Sequence, residues 1–214
     1  MPIRAVICDL DGLLFDSERR TRRAWQEAMR ALGHELDDAF YATLIGRKIA
    51  ISEGMVAAQF GIAEEEFRLI WRARHRDLIA NGPVPPRPGA LALIEWLVKN
   101  NVPRAIATSS IRSDAFHTLG ASAANFPVIV TGDQVVRGKP DPEIYLTAAA
   151  ALGIPPTACV ALEDSEPGIA AAHAAGMFAM MVPDLKHPSE ATRAQTYGIY
   201  PSLMEAREAI QLLW

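Results

Sequence analysis

Short apolar runs alternate with longer amphipathic stretches along most of the chain. Ile3 to Cys8 is mostly apolar and ends abruptly at Asp9-Leu10-Asp11-Gly12, the pattern of a buried strand emptying into a turn. Four similar runs follow: Pro103 to Ala107, Pro127 to Thr131, Ala158 to Leu162 and Phe178 to Val182. Between them lie helix-like stretches at Gly89 to Asn100, Ile111 to Leu119, Pro142 to Leu152 and Pro167 to Ala175, and Ser202 to Leu213 follows the last run. Strands alternating with helices of about ten residues predict βαβ units, hence an α/β fold with a Rossmann-like parallel sheet covered by helices on both faces. Ligands of such sheets bind at the carboxyl ends of the strands.

Asp16 to Asn81 breaks the rhythm, with no strand-like run. Trp25, Met29 and Leu32 share one helical face, and Phe67, Ile70, Trp71 and Leu78 share another, while Gly33, Gly46, Gly61 and Gly82 punctuate the helices. Pro83, Pro85, Pro86 and Pro88 then crowd into an extended return segment. The pattern predicts an α/β core of residues 1–15 and 83–214 interrupted by a small all-helical domain at 16–82.

Composition narrows the classes. Half of the 214 residues are apolar, enough for one compact catalytic-size domain with an insertion and too few for a long multidomain scaffold. The net charge of -4 gives no electrostatic footprint for duplex nucleic acid. No apolar run approaches the roughly 20 residues that cross a bilayer, and the opening Met-Pro-Ile-Arg, running straight into a strand, predicts no signal peptide. Cys8 and Cys159 each fall inside a predicted strand and read as buried apolar residues, which fits a reducing cytoplasm. Residues 16–82 carry 11 basic and 11 acidic side chains against 10 and 14 in the remainder, so the acidic excess lies on the core.

Four of those core acids, Asp9, Asp11, Glu163 and Asp164, stand at predicted strand ends. Asp9 and Asp11 fit either a solvated Asp/Gly turn or two carboxylates sharing one space, one ionised and one able to hold a proton; alternation along an extended strand would put both on the same side, with Leu10 opposite. Gly12 permits a tight turn or a close backbone approach to a phosphate. Thr108-Ser109-Ser110 offers hydroxyls and backbone N–H groups ahead of a helix, suited to an anion or to capping. Lys139, held in Gly138-Lys139-Pro140-Asp141-Pro142, could neutralise a phosphoryl group and Asp9, or be a loop lysine before a helix begun by Pro142. Glu163-Asp164-Ser165 supplies hard oxygen donors suited to Mg2+, or an N-cap, and Gly168 with the alanines around it permits close packing of a helix on the sheet. All four groups sit at the carboxyl ends of different predicted strands.

On these motifs the chain resembles the haloacid dehalogenase-like superfamily, in its branch of phosphatases and β-phosphoglucomutases with a helical cap inserted after the first motif. The resemblance runs from the first strand to about Met181: Asp9-Leu10-Asp11-Gly12-Leu13-Leu14-Phe15-Asp16-Ser17-Glu18, then Thr108-Ser109-Ser110, Lys139-Pro140-Asp141-Pro142, and Glu163-Asp164-Ser165 with Gly168. It implies that Asp9 attacks phosphorus to form an aspartyl phosphate, and that Asp11 protonates the leaving alcohol and later accepts a proton from water. By the same resemblance Mg2+ is held by Asp9, the Asp11 carbonyl and Asp164, with Glu163 direct or through water. Thr108 and the Ser109 amide would grip phosphoryl oxygens, and Lys139 would offset charge. Residues 16–82 become the cap, with Asp16 and Ser17 at its entry.

The mutases usually carry a histidine early in the first cap helix, where this chain has Thr21, Arg22 and Arg23 and no histidine between Asp9 and His34. The expectation is therefore a phosphatase for a small sugar, polyol or organic-acid phosphate, with phosphosugar mutase as runner-up and a dehalogenase or a noncatalytic phosphate-binding module behind. Gly46-Arg47-Lys48 reads as a solvated cap turn or as a basic pair that holds substrate, with Ser110 and Gly12 as further candidate contacts. Arg19, Arg20, Arg22 and Arg23 read as one exposed helix face, and Trp25, Trp71, Trp96 and Trp214 as packing residues. A monomer or small homo-oligomer is expected.

Overall fold

A computed structural model describes residues 2–45, 49–80, 82–184 and 188–214. In chain order the elements are β1 (Ala5–Cys8), α1 (Ser17–Ala31), α2 (Asp38–Leu44), α3 (Ile49–Phe60), α4 (Glu64–Ala80), α5 (Ala90–Lys99), β2 (Arg104–Ala107), α6 (Arg112–Leu119), β3 (Val128–Val130), α7 (Glu143–Leu152), β4 (Cys159–Glu163), α8 (Glu166–Ala174), β5 (Phe178–Met181), α9 (Glu190–Gln195), β6 (Gly198–Ile199) and α10 (Leu203–Leu213). They form two compact units, one of Met1–Asp16 with Pro85–Trp214 and one of Ser17–Val84.

The first unit is built on one parallel six-stranded sheet in the order β3-β2-β1-β4-β5-β6. Strands β1 and β4 lie at its centre, buried along their whole length, as expected of the apolar runs Ala5–Cys8 and Cys159–Leu162 in a sheet covered on both faces, with the charged Glu163 closing β4. Helices α7 and α8 approach closely because their contacting residues are small: Ala148, Ala149, Ala171 and Ala172 pack with Ile7, Ala105 and Ala161 in one core. Strand order reverses direction between β1 and β4, the switch point where doubly wound sheets leave a crevice at the strands' carboxyl ends.

Two short elements, β6 and α9, lie in a stretch where no element was expected; at two and six residues they are too brief for periodicity to reveal. Where the chain leaves and re-enters this unit its two segments pair, Asp16 N–H donating to the Pro85 carbonyl at 2.9 Å and Arg87 N–H to that of Leu14 at 2.8 Å.

The second unit is wholly helical, with a separate core of Trp25, Met29, Leu36, Tyr41, Val56, Phe67 and Trp71. Trp25 meets Phe67 and Tyr41 edge-to-face at 5.1 and 6.0 Å. The arginine run of α1 is not one exposed face: Arg20 turns in to donate to the carbonyls of Gly82 and Pro83, in the segment after α4, at 3.0 and 2.8 Å. Trp214, the C-cap of α10, is 46 % exposed and does not pack as Trp25 and Trp71 do. No helix among the described residues is long and apolar enough to cross a membrane. Cys8 and Cys159 are buried free thiols.

Candidate active site

β1 stops at Cys8, so Asp9 and Asp11 stand in the turn beyond it rather than on an extended strand. The turn itself separates them. Leu10 is fully buried and anchors the loop, its carbonyl accepting from the N–H groups of Leu14 and Phe15, both at 3.1 Å. Gly12 adopts φ +87°, which an L side chain rarely does, and an ideal Cβ there would run into the carboxylate of Asp164. The glycine thus lets the ends of β1 and β4 close on each other.

Asp9 is 6 % exposed, and Lys139 donates to its Oδ1 in a short ion pair. The same ammonium donates to Glu163 Oε1 at 2.5 Å and to the Ala107 carbonyl at 3.0 Å. One side chain from the loop before α7 therefore ties together the ends of β1, β2 and β4. Burial pushes the Asp9 carboxyl up from the usual carboxylate range; Lys139 opposes this, while Glu163 and Asp11 add to it. Burial works against the Lys139 charge, yet Asp9 and Glu163 outweigh it and hold the ammonium above its ordinary range.

Glu163 is the last residue of β4 and is fully buried. Its Oε1 accepts from Lys139 and from the Tyr145 hydroxyl at 2.6 Å, and its Oε2 from the N–H and hydroxyl of Ser165 at 3.3 and 2.9 Å. Gly168 makes room for this carboxylate: an ideal Cβ at that position would overlap the carboxyl group. The glycine therefore serves the acid, which the expectation of helix-on-sheet packing did not include. Ser165 also caps α8, accepting from Gly168 N–H at 3.2 Å, so the capping role and the site role coexist.

Asp11 points elsewhere. Its Oδ2 accepts from Thr108 Oγ1 at 3.0 Å and Ser110 Oγ at 2.7 Å, while Thr108 Oγ1 accepts from Ser110 N–H at 3.1 Å. Ser110 does not cap α6, whose N-cap is Ile111. Ser109 is exposed, and its carbonyl lies where a Cβ at position 132 would fall, which makes Gly132 a structural requirement of this loop that pattern reading missed. Tyr145 was missed as well, since a tyrosine inside a helical apolar face carries no signal of its own. Arg47 and Lys48 lie outside the described residues.

One carboxylate oxygen from each of Asp9, Glu163 and Asp164 falls within 4.8 Å of the others. Three oxygen donors so close, with the space beside Asp164 kept open by Gly12, suit a hard divalent cation.

A family model described as haloacid dehalogenase-like hydrolase matches residues 3–176. The chain belongs to that family. Relatives of this hydrolase include the validoxylamine A 7'-phosphate phosphatase of Streptomyces hygroscopicus subsp. limoneus, 35% identical over 82% of this chain and 83% of that one. The β-phosphoglucomutase of Bacillus subtilis is 32% identical over 84% and 83%. Among solved structures, a HAD family hydrolase from Deinococcus radiodurans with bound phosphate and sodium is 30% identical, covers 99% of this chain and 98% of its own, and superposes with a TM-score of 0.82.

Proposed function

We propose that this hydrolase is a magnesium-dependent phosphatase of a small phosphorylated metabolite, a sugar, polyol or organic-acid phosphate. The observation that carries the reading is the division of labour between two carboxylates: Asp9 buried against Lys139 and beside Asp164, Asp11 held apart by two hydroxyls. An Asp9 oxygen attacks phosphorus as the ester P–O bond breaks, and Asp11 gives its proton to the departing alkoxide. The aspartyl phosphate is then attacked by water, whose proton returns to Asp11, and phosphate leaves with Asp9 restored. The Ser109 amide holds a phosphoryl oxygen, Thr108 becomes a second donor once its hydroxyl turns from Asp11 to the bound ester, and Lys139 offsets the charge. Asp9, Asp164 and the Asp11 carbonyl would hold Mg2+, with Glu163, whose own oxygens are taken up by Lys139, Tyr145 and Ser165, adding negative charge beside them, and the ion would neutralise charge developing on the transferred group. The helical unit serves as the cap that selects substrate, with Arg47 and Lys48 in its candidate recognition turn.

A relative named as a mutase makes that the second reading. Against it, Thr21, Arg22 and Arg23 stand where the mutases usually carry a histidine, and the Thr21 hydroxyl donates to the Ser17 carbonyl at 3.2 Å.

The test is phosphate release from p-nitrophenyl phosphate and a panel of sugar, polyol and organic-acid phosphates, with magnesium or with EDTA. We expect metal-dependent release that EDTA silences and Asp9→Asn abolishes, whereas Asp11→Asn slows turnover and lets phosphoenzyme accumulate, seen by intact mass. Conversion of a sugar 1-phosphate to its 6-phosphate isomer without free phosphate would establish the mutase instead. No release from any ester would point to a noncatalytic phosphate-binding module.

A further inference from the structure

Tyr145 takes no part in the chemistry above, yet it is fully buried against the acidic cluster. It lies in the first turn of α7, and its hydroxyl donates to Glu163 Oε1 at 2.6 Å. Lys139 donates to the same oxygen, and its ammonium stands 5.2 Å from the centroid of the Tyr145 ring. One phenol therefore touches both members of the Lys139–Glu163 pair, through its hydroxyl and through its ring face.

With the two Ser165 donors on Oε2, Glu163 accepts from four groups, about the full capacity of a carboxylate. A carboxylate so bound is fixed in rotation, and it fixes in turn the ammonium that must face Asp9. We propose that Tyr145 is a positioning residue that locks Glu163, and through it Lys139 and the spacing of the Asp9–Asp164 cluster. A phenylalanine would fill the same volume but leave Oε1 with one donor fewer, loosening the Lys139 contact. The assignment rests on the phosphatase reading for its kinetic consequence, and on the acidic cluster alone for its effect on metal affinity.

The experiment is Tyr145→Phe in the full chain, with Ile144→Val, an apolar buried neighbour on the same helix, as packing control. For Tyr145→Phe we expect kcat to fall and the half-saturating magnesium concentration to rise, each about tenfold, the lower end for residues that orient metal ligands. KM for the phosphate ester should change less than twofold. Magnesium should raise the melting temperature of metal-stripped Tyr145→Phe less than that of wild type at equal concentration, a readout needing no turnover. In the Glu163→Gln background, Tyr145→Phe should add little, because its route runs through that carboxylate.

Wild-type magnesium response in Tyr145→Phe, or additivity of the two changes, would overturn the assignment, as would equal losses in Tyr145→Phe and Ile144→Val. A wild type that hydrolyses nothing but is stabilised by magnesium would sink the phosphatase reading while the melting shifts still decide the role of Tyr145. Absence of any magnesium stabilisation in wild type would overturn it outright.

Discussion

Gly168→Ala should reverse the usual sign of a glycine-to-alanine change in a helix. In an ordinary helical position the substitution stabilises by about 0.8–1 kcal/mol, and Gly168 has no left-handed φ that would oppose it. Here the new methyl would fall on the carboxyl group of Glu163, well inside the 3.0 Å that real Cβ contacts respect. Glu163 cannot yield cheaply, since it is fully buried and holds Lys139 at 2.5 Å, Tyr145 at 2.6 Å and the Ser165 hydroxyl at 2.9 Å. Overpacking costs about 1–3 kcal/mol, and losing one hydrogen bond to a buried charge costs roughly 1.5–3 kcal/mol. After the helical gain a net loss of about 2–5 kcal/mol remains. Because the displaced carboxylate orients Lys139 toward Asp9, a shift near 1 Å should lower kcat about 100-fold. Urea unfolding followed by circular dichroism, together with phosphate release at saturating magnesium, measures both. A variant as stable as wild type or more so, with kcat unchanged, would refute the argument, because the methyl would then have found room without moving the acid.

Ser110→Ala removes the shorter of the two hydroxyl bonds to Asp11, 2.7 Å against 3.0 Å from Thr108. A lost hydrogen bond to a charged group is worth roughly 1.5–3 kcal/mol, so kcat for a phosphate ester should drop at least about tenfold; a change under twofold in steady-state kinetics would show that Thr108 alone suffices. Both thiols should be inert in the native protein. Burial raises Cys159 to about 11, and burial followed by the neighbouring Asp9 charge raises Cys8 still further, so the thiolate that reacts is scarce at pH 8. Ellman's reagent should label neither thiol at that pH before urea is added, and both afterwards; fast native labelling would mean that the sheet opens locally.

Much of the fold was legible because burial on both faces leaves a direct mark on sequence. Central strands β1 and β4 need unbroken apolar runs, and Val6-Ile7-Cys8 and Cys159-Val160-Ala161-Leu162 supply them. Glu163, the residue where β4 meets the site, was the exception: it belongs to the strand although it is charged, because Lys139, Tyr145 and Ser165 together make its burial tolerable. The arginines of α1 show the opposite failure. Charge alone suggested solvent, whereas Arg20 is held by two carbonyls about sixty residues away in the chain, a contact that no local pattern encodes.

The sequence by itself determined the alternation of strand and helix, the helical interruption, and the placing of Asp9, Thr108, Lys139 and Glu163 at strand ends or in the loops beyond them, since each follows from local periodicity and chain order. Only the tertiary structure decided which of these atoms meet. It set Lys139 on both Asp9 and Glu163, turned Asp11 toward Thr108 and Ser110, and recruited Tyr145, Gly12 and Gly168 to the same few ångströms. Contacts across more than a hundred residues depend on strand order and on the space that side chains leave one another, and both exist only once the sheet has closed.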